Sequence, residues 1–400
     1  MTGQYNRLLA SAAICVAVLG GIGQAHEGAA ASGSPNPLAD LCGAPAGSVP
    51  PTADFPVKLP PVSHLGARND LPNPYEPGVH WGQLPNGRVF GAPIGLDRGR
   101  DGTIWVFDNC TVAGAPACAN SPLDPILQFD KAGQLLKSFG KGLTAGPHKI
   151  KLDGEGNVWI TDIGGQGHGK GHEVMKFSPD GKLLMRLGKP GIAGQGLDQF
   201  DQPTDVAIAD NGDFFVSDGQ SGAGTASGNA RILKFDKNGK FIKTWGRKGM
   251  GPGEFDVVHA LALDSRGRLF VADRQNNRIQ IFDQDGGFID QWFQFGRPSG
   301  IYIDKDDTIY VGDSSSLDGR SRTGAGPVSP SGTNVNVGAA RGIRIGSAKD
   351  GSVRAFIPDT CPYPYTATPT IGDGILADDE GNVYSGEFLG TVRKFAKKIR

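Results

Sequence analysis

Apolar and polar residues alternate in short runs along most of this chain, and the runs recur. The clearest stretch is "FDVVHALALDSRGRLFVADRQNNRIQIFDQDG", from Phe255 to Gly286. "HALALD" alternates, "SRG" turns, "RLFVAD" is apolar with an aromatic, "RQNN" turns again and "RIQIF" alternates once more. A period of two between turn residues predicts β-strands. The pattern returns as "GPHKIKLDGEGNVWITD" from Gly146, "QPTDVAIADNGDFFVSDG" from Gln202, "GRPSGIYIDKDDTIYVGD" from Gly296 and "TIGDGILADDEGNVYSGE" from Thr370. A looser copy, "FGAPIGLDRGRDGTIWVFD", starts at Phe90. Six copies of one unit, spaced by roughly 40 to 70 residues, predict a radial or stacked repeat array.

A complete copy has four strands: "DVAIAD", "DFFVSD", "RILKFD" and "KFIKTWG", the last ending at Gly246. The sixth copy has its third strand, "TVRKFAK", and then the chain stops. Near the other end, "VHWGQLPNG" puts Trp81-Gly82 before the first copy just as Trp245-Gly246 precedes the fourth. An N-terminal strand is therefore expected to complete the last blade and close a ring, leaving no exposed sheet edge. The expected fold is all-β, a six-bladed β-propeller over residues 79–400. Phe129, Phe177, Phe235, Phe282 and Phe395 recur on third strands, where packing between blades is expected rather than an aromatic platform.

In a propeller the first strand of each blade lines the axis, so equivalent residues form rings. Acidic residues end the second strands: Asp108, Asp162, Asp218, Asp273, Asp313 and Glu387. Their recurrence in every copy predicts a turn-capping role. Counting fourteen back from each, with two extra residues allowed in the first copy, gives a ring of Ala92, His148, Thr204, His259, Ser299 and Asp373. Ligand-type side chains fall on alternate blades, so His148, His259 and Asp373 are expected to converge on one axial point. Ala92, Thr204 and Ser299 fill the slots between. Two imidazoles and a carboxylate on a narrow channel wall suit zinc, with an open coordination position, and also suit iron. The alternative is that both histidines bond only to channel waters while Asp373 neutralises one of them. His168 and His172 have an HxxxH spacing, but "GGQGHGKGHEV" reads as a glycine-rich loop rather than a helix.

Charge removes one class of partner. Forty basic against 41 acidic residues give a net −1, with no basic stripe to hold nucleic acid. The 62 glycines fit many short strands joined by tight turns. Residues 1–25 are expected to be a signal peptide: Arg7 precedes an apolar run from Leu8 to Gly20, and small residues follow at Gly23-Gln24-Ala25. That run is short of the about 20 residues a membrane span needs. A secreted or periplasmic location is expected. Residues 26–78, rich in Pro, Ala and Gly, read as an arm or linker. The insertion 314–340 reads as a lid over a channel mouth or as unstructured chain. Export makes disulfides available. Cys110 with Cys118 is the simplest pair, which leaves Cys42 and Cys361 as a possible second.

Over about residues 80–400 the chain resembles the NHL-repeat propellers, and more narrowly the peptidyl-α-hydroxyglycine α-amidating lyase family. The resemblance is carried by "GPHKIKLDGEGNVWITD", "FDQPTDVAIADNGDFFVSDG" and "VVHALALDSRGRLFVADRQNNRIQIF". It implies a zinc held by three histidines, a catalytic tyrosine, two arginines and a structural calcium. The implied reaction cleaves a hydroxyglycine C–N bond to give glyoxylate and a peptide amide. His148 and His259 match two zinc ligands, and Arg274 in "VADRQ" matches one arginine, a catalytic residue that would bind an anionic group. Asp373 stands where the third histidine would be, Asn109 at the other arginine's place and Gln220 at the tyrosine's. Gly374 takes the position of the calcium carboxylate, so calcium loses that ligand. Glutamine cannot take a proton and asparagine cannot clamp a carboxylate as arginine does. The metal cradle thus resembles the family more closely than the proton-transfer groups do. The expectation is a monomeric, exported metalloenzyme, lyase-like or hydrolytic, taking a small molecule or peptide at the channel mouth. The other reading is a non-catalytic propeller that binds a peptide, sugar or protein on its loop face.

Overall fold

The structure, a computed structural model, describes residues 61–110, 118–164, 169–220, 228–314, 316, 336, 338–359, 371–388 and 390–399. The signal segment, Cys42, Cys361, His168 and most of the 314–340 insertion lie outside them. The described strands form six four-stranded antiparallel sheets. Blades 1 to 5 each take four consecutive strands. Their first strands are Gly95–Arg98, Pro147–Leu152, Pro203–Ile208, Val258–Leu263 and Gly300–Ile303. Blade 6 takes Gly374–Ala377, Val383–Glu387 and Thr391–Phe395, and its fourth strand is Val79–Trp81 from the other end of the chain. Val79 pairs with Lys394 and Trp81 with Val392, so the ring closes as the repeat pattern predicts.

Burial explains why these runs become strands. Second strands such as Ile104–Phe107 and Val158–Asp162 are buried at every residue, because both faces of a blade are covered by its neighbours. Outer strands keep the alternation of a half-solvated edge, as in Phe241–Trp245. Six apolar clusters sit between adjacent blades. One joins Phe270 and Trp292 of blade 4 to Ile301 and Val311 of blade 5. At the seam, Trp81 lies 5.2 Å from the Tyr384 ring of blade 6 and 5.4 Å from Phe129 of blade 1. The recurring third-strand phenylalanines are all buried in these clusters and form no platform. Tight hairpins join third to fourth strands with glycine in the left-handed region, as at Gly239 (φ 82°) and Gly286 (φ 80°). A side chain is strained there.

In blades 1 to 5 the acid at the end of the second strand ties down the segment that enters the first strand. Asp108 accepts from the Gly91 amide, Asp162 from Ala145 and Gly146, Asp218 from Asp201, Asp273 from Asp256 and Asp313 from Arg297. Five of the six also pair with an arginine: Arg88, Arg231, Arg278, Arg344 and Arg393. Residues 61–78 dock on blades 5 and 6. Asn69 bonds Gly338 and Ala340, and Tyr75 is buried among Tyr310, Ile343 and Phe395.

Cys110 and Cys118 are disulfide-bonded, Cα to Cα 5.3 Å. Peptide mapping of the purified protein without reductant should therefore recover the two cysteines in one linked fragment. Free thiols at both positions would contradict the pairing and the oxidising compartment it needs.

Candidate metal centre

His148 and His259 are each the second residue of a first strand, in blades 2 and 4. In both strands the pairing register shifts immediately after that point, between Pro147 and Ile150 and between Val258 and Leu261. Such a bulge adds a residue to one strand and re-aims a side chain. Asp373 directly precedes the first strand of blade 6. The three side chains meet: each offers a ligand atom within 4.8 Å of the other two. Asp373 Oδ2 lies 3.9 Å from His148 Nε2 and 3.6 Å from His259 Nε2. Tetrahedral zinc ligands, at about 2.0–2.2 Å from the metal, sit roughly 3.3–3.6 Å from one another. The imidazoles are 4.9 Å apart and nearly perpendicular. None of the three residues is more than 3% exposed.

The intervening blades orient the ligands through main chain. His148 Nδ1 is 2.6 Å from the Thr204 carbonyl and His259 Nδ1 is 2.6 Å from the Ser299 carbonyl. A carbonyl only accepts, so each Nδ1 carries the proton and each Nε2 keeps its lone pair facing the axis. Thr204 and Ser299 therefore do more than fill slots. In blade 1 the ring residue is Ile94 rather than Ala92. The Ile94 carbonyl faces Gly374 just as the His148 carbonyl faces Gly95 and the Asp373 carbonyl faces Gly300. Ala92 sits one turn earlier, where its carbonyl accepts from Ile94 and Asn109. Pro93 has no N–H to extend the ladder, so the chain turns there and needs no two-residue allowance.

Electrostatics keep both imidazoles neutral. Burial pushes each well below the usual histidine range; Lys149 acts next on His148 and Arg274 on His259 in the same direction. Burial raises the Asp373 carboxyl, opposed by Lys149 and Arg274. His148 Nε2 is buried without a hydrogen-bond partner among the described residues. That orphaned lone pair, with a second imidazole and a carboxylate beside it, suits a divalent cation.

Arg274 follows the second strand of blade 4, and its Nη1 is 2.6 Å from His259 Nε2. Asn109 and Gln220 lie just beyond the second strands of blades 1 and 3, each half-buried with its side-chain oxygen unpartnered among the described residues. Lys149 is a member of the site that the repeat pattern does not point to. It is 4% exposed, its Nζ donates to the Asp373 main-chain carbonyl, and burial brings its pKa down to about 8. The signal was a lysine beside a ring histidine on a strand with no solvent face. Ser314 also joins the site, 3.5 Å from Asp373 Oδ1 and 2.6 Å from the Ser299 hydroxyl. His172 instead accepts from the Gln202 amide and lies 3.9 Å from Asp201, a structural role. A cavity of about 920 Å³ opens at the other end of the first strands, lined by Asp97, Lys151, Trp159 and Tyr302 among others. None of His148, His259 or Asp373 lines it.

Comparison with known proteins agrees with this architecture. A family model described as a 6-bladed beta-propeller matches residues 225–291. NHL repeat-containing protein 3 of Homo sapiens is 38% identical over 167 residues, 40% of this chain and 46% of that protein. Peptidyl-alpha-hydroxyglycine alpha-amidating lyase 1 of Drosophila melanogaster is 38% identical over 175 residues, 40% of this chain and 30% of that protein. The chain is a six-bladed propeller similar to an NHL repeat-containing protein and to the amidating lyases. Peptidyl-glycine alpha-amidating monooxygenase of Mus musculus is 41% identical over 172 residues, but these make up only 16% of that protein. The chain thus spans half or less of the length of the curated relatives it matches. Among solved structures, a gluconolactonase of Xanthomonas campestris aligns over 81% of this chain and 98% of its own, with a TM-score of 0.50 and 13% identity. At that identity it shows the shared propeller fold alone. No helix among the described residues of the propeller is long and apolar enough to cross a membrane.

Proposed function

We propose that this chain is an exported metalloenzyme, lyase-like or hydrolytic, built on an axial site of His148, His259 and Asp373. The observation that carries the reading is the convergence of their three ligand atoms within 4.8 Å, with both Nδ1 atoms committed to carbonyls. Zinc is the first choice and iron the second, since two imidazoles and a carboxylate serve both. A divalent cation there supplies Lewis acidity to a substrate oxygen. The chain's own groups do the rest. Thr204 and Ser299 fix the imidazoles, Lys149 and Ser314 hold Asp373, and Arg274 offers a guanidinium for an anionic substrate group. The propeller wall around the site keeps bulk water away, which strengthens every charge interaction inside.

The substrate class differs from that of the amidating lyases. With Gln220 where the resemblance implies a tyrosine and Asn109 where it implies an arginine, proton abstraction and carboxylate clamping are both weakened. Zinc-loaded protein given an α-hydroxyglycine peptide should release glyoxylate weakly or not at all. Brisk release that stops on chelation would show that neither position matters and return the chain to that reaction. A non-catalytic binding propeller is the second reading, favoured by the same two replacements. It requires no metal on the axis. Chelation that leaves thermal stability unchanged would favour it, because a cation bound only by the folded ring stabilises the fold.

A further inference from the structure

We propose that blade 2 holds a calcium ion off the axis, at the place where blades 3 and 4 hold the guanidinium of an arginine. The proposal is independent of the axial metal. In blade 3, Arg231 opens the third strand directly opposite Asp218 and donates to its carboxylate at 3.0 Å. The same guanidinium reaches the Gly196 and Gln199 carbonyls, each at 3.0 Å. Blade 4 repeats the arrangement: Arg278 opposes Asp273, bonds it at 2.8 Å and reaches the Gly251 and Glu254 carbonyls at 2.9 Å. In each blade the two carbonyls belong to one tight turn, closed by Gln199 on Gly196 in blade 3 and by Glu254 on Gly251 in blade 4.

Blade 2 has the same frame with the charge reversed. Its turn, closed by the Leu143 amide on the Gly140 carbonyl at 3.1 Å, lies as far from Asp162 in sequence as the others lie from Asp218 and Asp273. Glu173 opposes Asp162 at the register where blades 3 and 4 have arginine. Both carboxylates are buried, and no arginine pairs with Asp162 among the described residues. Arg186 Nε lies 3.3 Å from Glu173 Oε1 but is misaligned for a hydrogen bond, and its side chain is 36% exposed. Glu173 Oε1 is therefore buried without a hydrogen-bond partner, and so is Oγ1 of Thr144, the residue after the turn. Such groups are costly unless something satisfies them. Burial pushes the Glu173 carboxyl up to about 7, with Arg186 opposing and Asp162 adding to the rise. The donors gathered here are all oxygens: two carboxylates, a hydroxyl and the carbonyls of the turn. His172, the neighbouring imidazole, is engaged with the Gln202 amide. Zinc favours nitrogen and sulfur, and magnesium demands a near-ideal octahedron that keeps several waters. Calcium accepts mixed oxygen ligands in irregular geometry, and its charge offsets the two carboxylates. Asp162 also holds the Ala145 and Gly146 amides just ahead of His148, so a cation here stiffens the segment that enters the channel.

The test is the melting temperature of the full chain at about pH 8, where Glu173 is ionised, in EGTA and in millimolar calcium chloride. Wild type should melt about 3 °C or more higher with calcium, and Glu173→Gln should lose that shift. Glu173→Arg combined with Arg186→Gln copies the Arg278–Gln291 pair of blade 4. That double variant should melt at least as high as calcium-loaded wild type and ignore calcium. His259→Ala should keep the calcium shift, because the axis takes no part in it. A wild type that calcium does not stabilise overturns the proposal, including one that gains stability only toward about pH 6, where a shared proton fills the gap instead. A shift that survives in Glu173→Gln, or one lost in His259→Ala, places the ion elsewhere and overturns it as well. If Glu173→Gln does not fold, the double variant decides: a calcium shift persisting there overturns the site.

Discussion

Deleting the chain through Gly82 should make the protein aggregate. Among the described residues Val79–Trp81 is the strand that covers the outer edge of Thr391–Phe395, and without it that edge presents unpaired amides and carbonyls. Trp81 itself is 8% exposed and wedges between Tyr384 and Phe129, so the loss also opens the contact between the last blade and the first. Removing a buried tryptophan to alanine costs roughly 3–5 kcal/mol, a large part of what holds a domain together. Residues 61–78 dock separately, so a truncation ending at Pro77 separates their contribution from that of the closing strand. Scanning calorimetry and size exclusion should show a moderate loss for the shorter truncation and collapse for the longer. Trp81→Ala should fall between them. A truncation through Gly82 that stays monomeric and melts with wild type would remove the closing strand from the account.

His148→Ala or His259→Ala should strip the metal, because each leaves two ligands on a site that has only three. Asp373→Ala should weaken binding without abolishing it, since water can take the vacated position. Asp373→His rebuilds a three-histidine set and should retain zinc. The pH dependence follows from the same burial. Both imidazoles titrate well below the usual range in the folded chain, so the unfolded chain binds more protons as pH falls. Each buried neutral histidine therefore contributes stability that is complete above about pH 6.5 and is lost as pH drops toward its folded value. Melting temperature against pH should show a shallower acid slope in His148→Ala than in wild-type apoprotein. Zinc should stay bound through pH 6.5, where an exposed histidine pair would begin to release it. Equal slopes and early release would mean that the imidazoles are solvated.

The repeat pattern carried most of the fold. "VADRQNNRIQIF" and its copies mark where strands turn, and the spacing of Trp81-Gly82 against Trp245-Gly246 foretold which strand closes the ring. Counting from the second-strand acids also brought His148, His259 and Asp373 to one ring. Blade 1 escaped that count only where an allowance was added to it. Counting fourteen back from Asp108 without any allowance gives Ile94, which takes the ring position just after Pro93 turns the chain. Three contacts could not be read from residue type. Thr204 and Ser299 act through carbonyls, which every residue has. Lys149 reaches a main-chain oxygen of a blade far away in sequence. Arg274 meets His259 through a turn geometry that depends on how the second strand of blade 4 ends.

Metal content of the purified chain tests the central claim most directly. Wild-type protein prepared without chelator and analysed by plasma mass spectrometry should hold about one transition metal per chain, zinc before iron. His148→Ala, prepared identically and shown to be folded, should hold none. Wild-type protein that arrives metal-free and takes up neither added zinc nor added iron would contradict the account and leave the binding-propeller reading in its place.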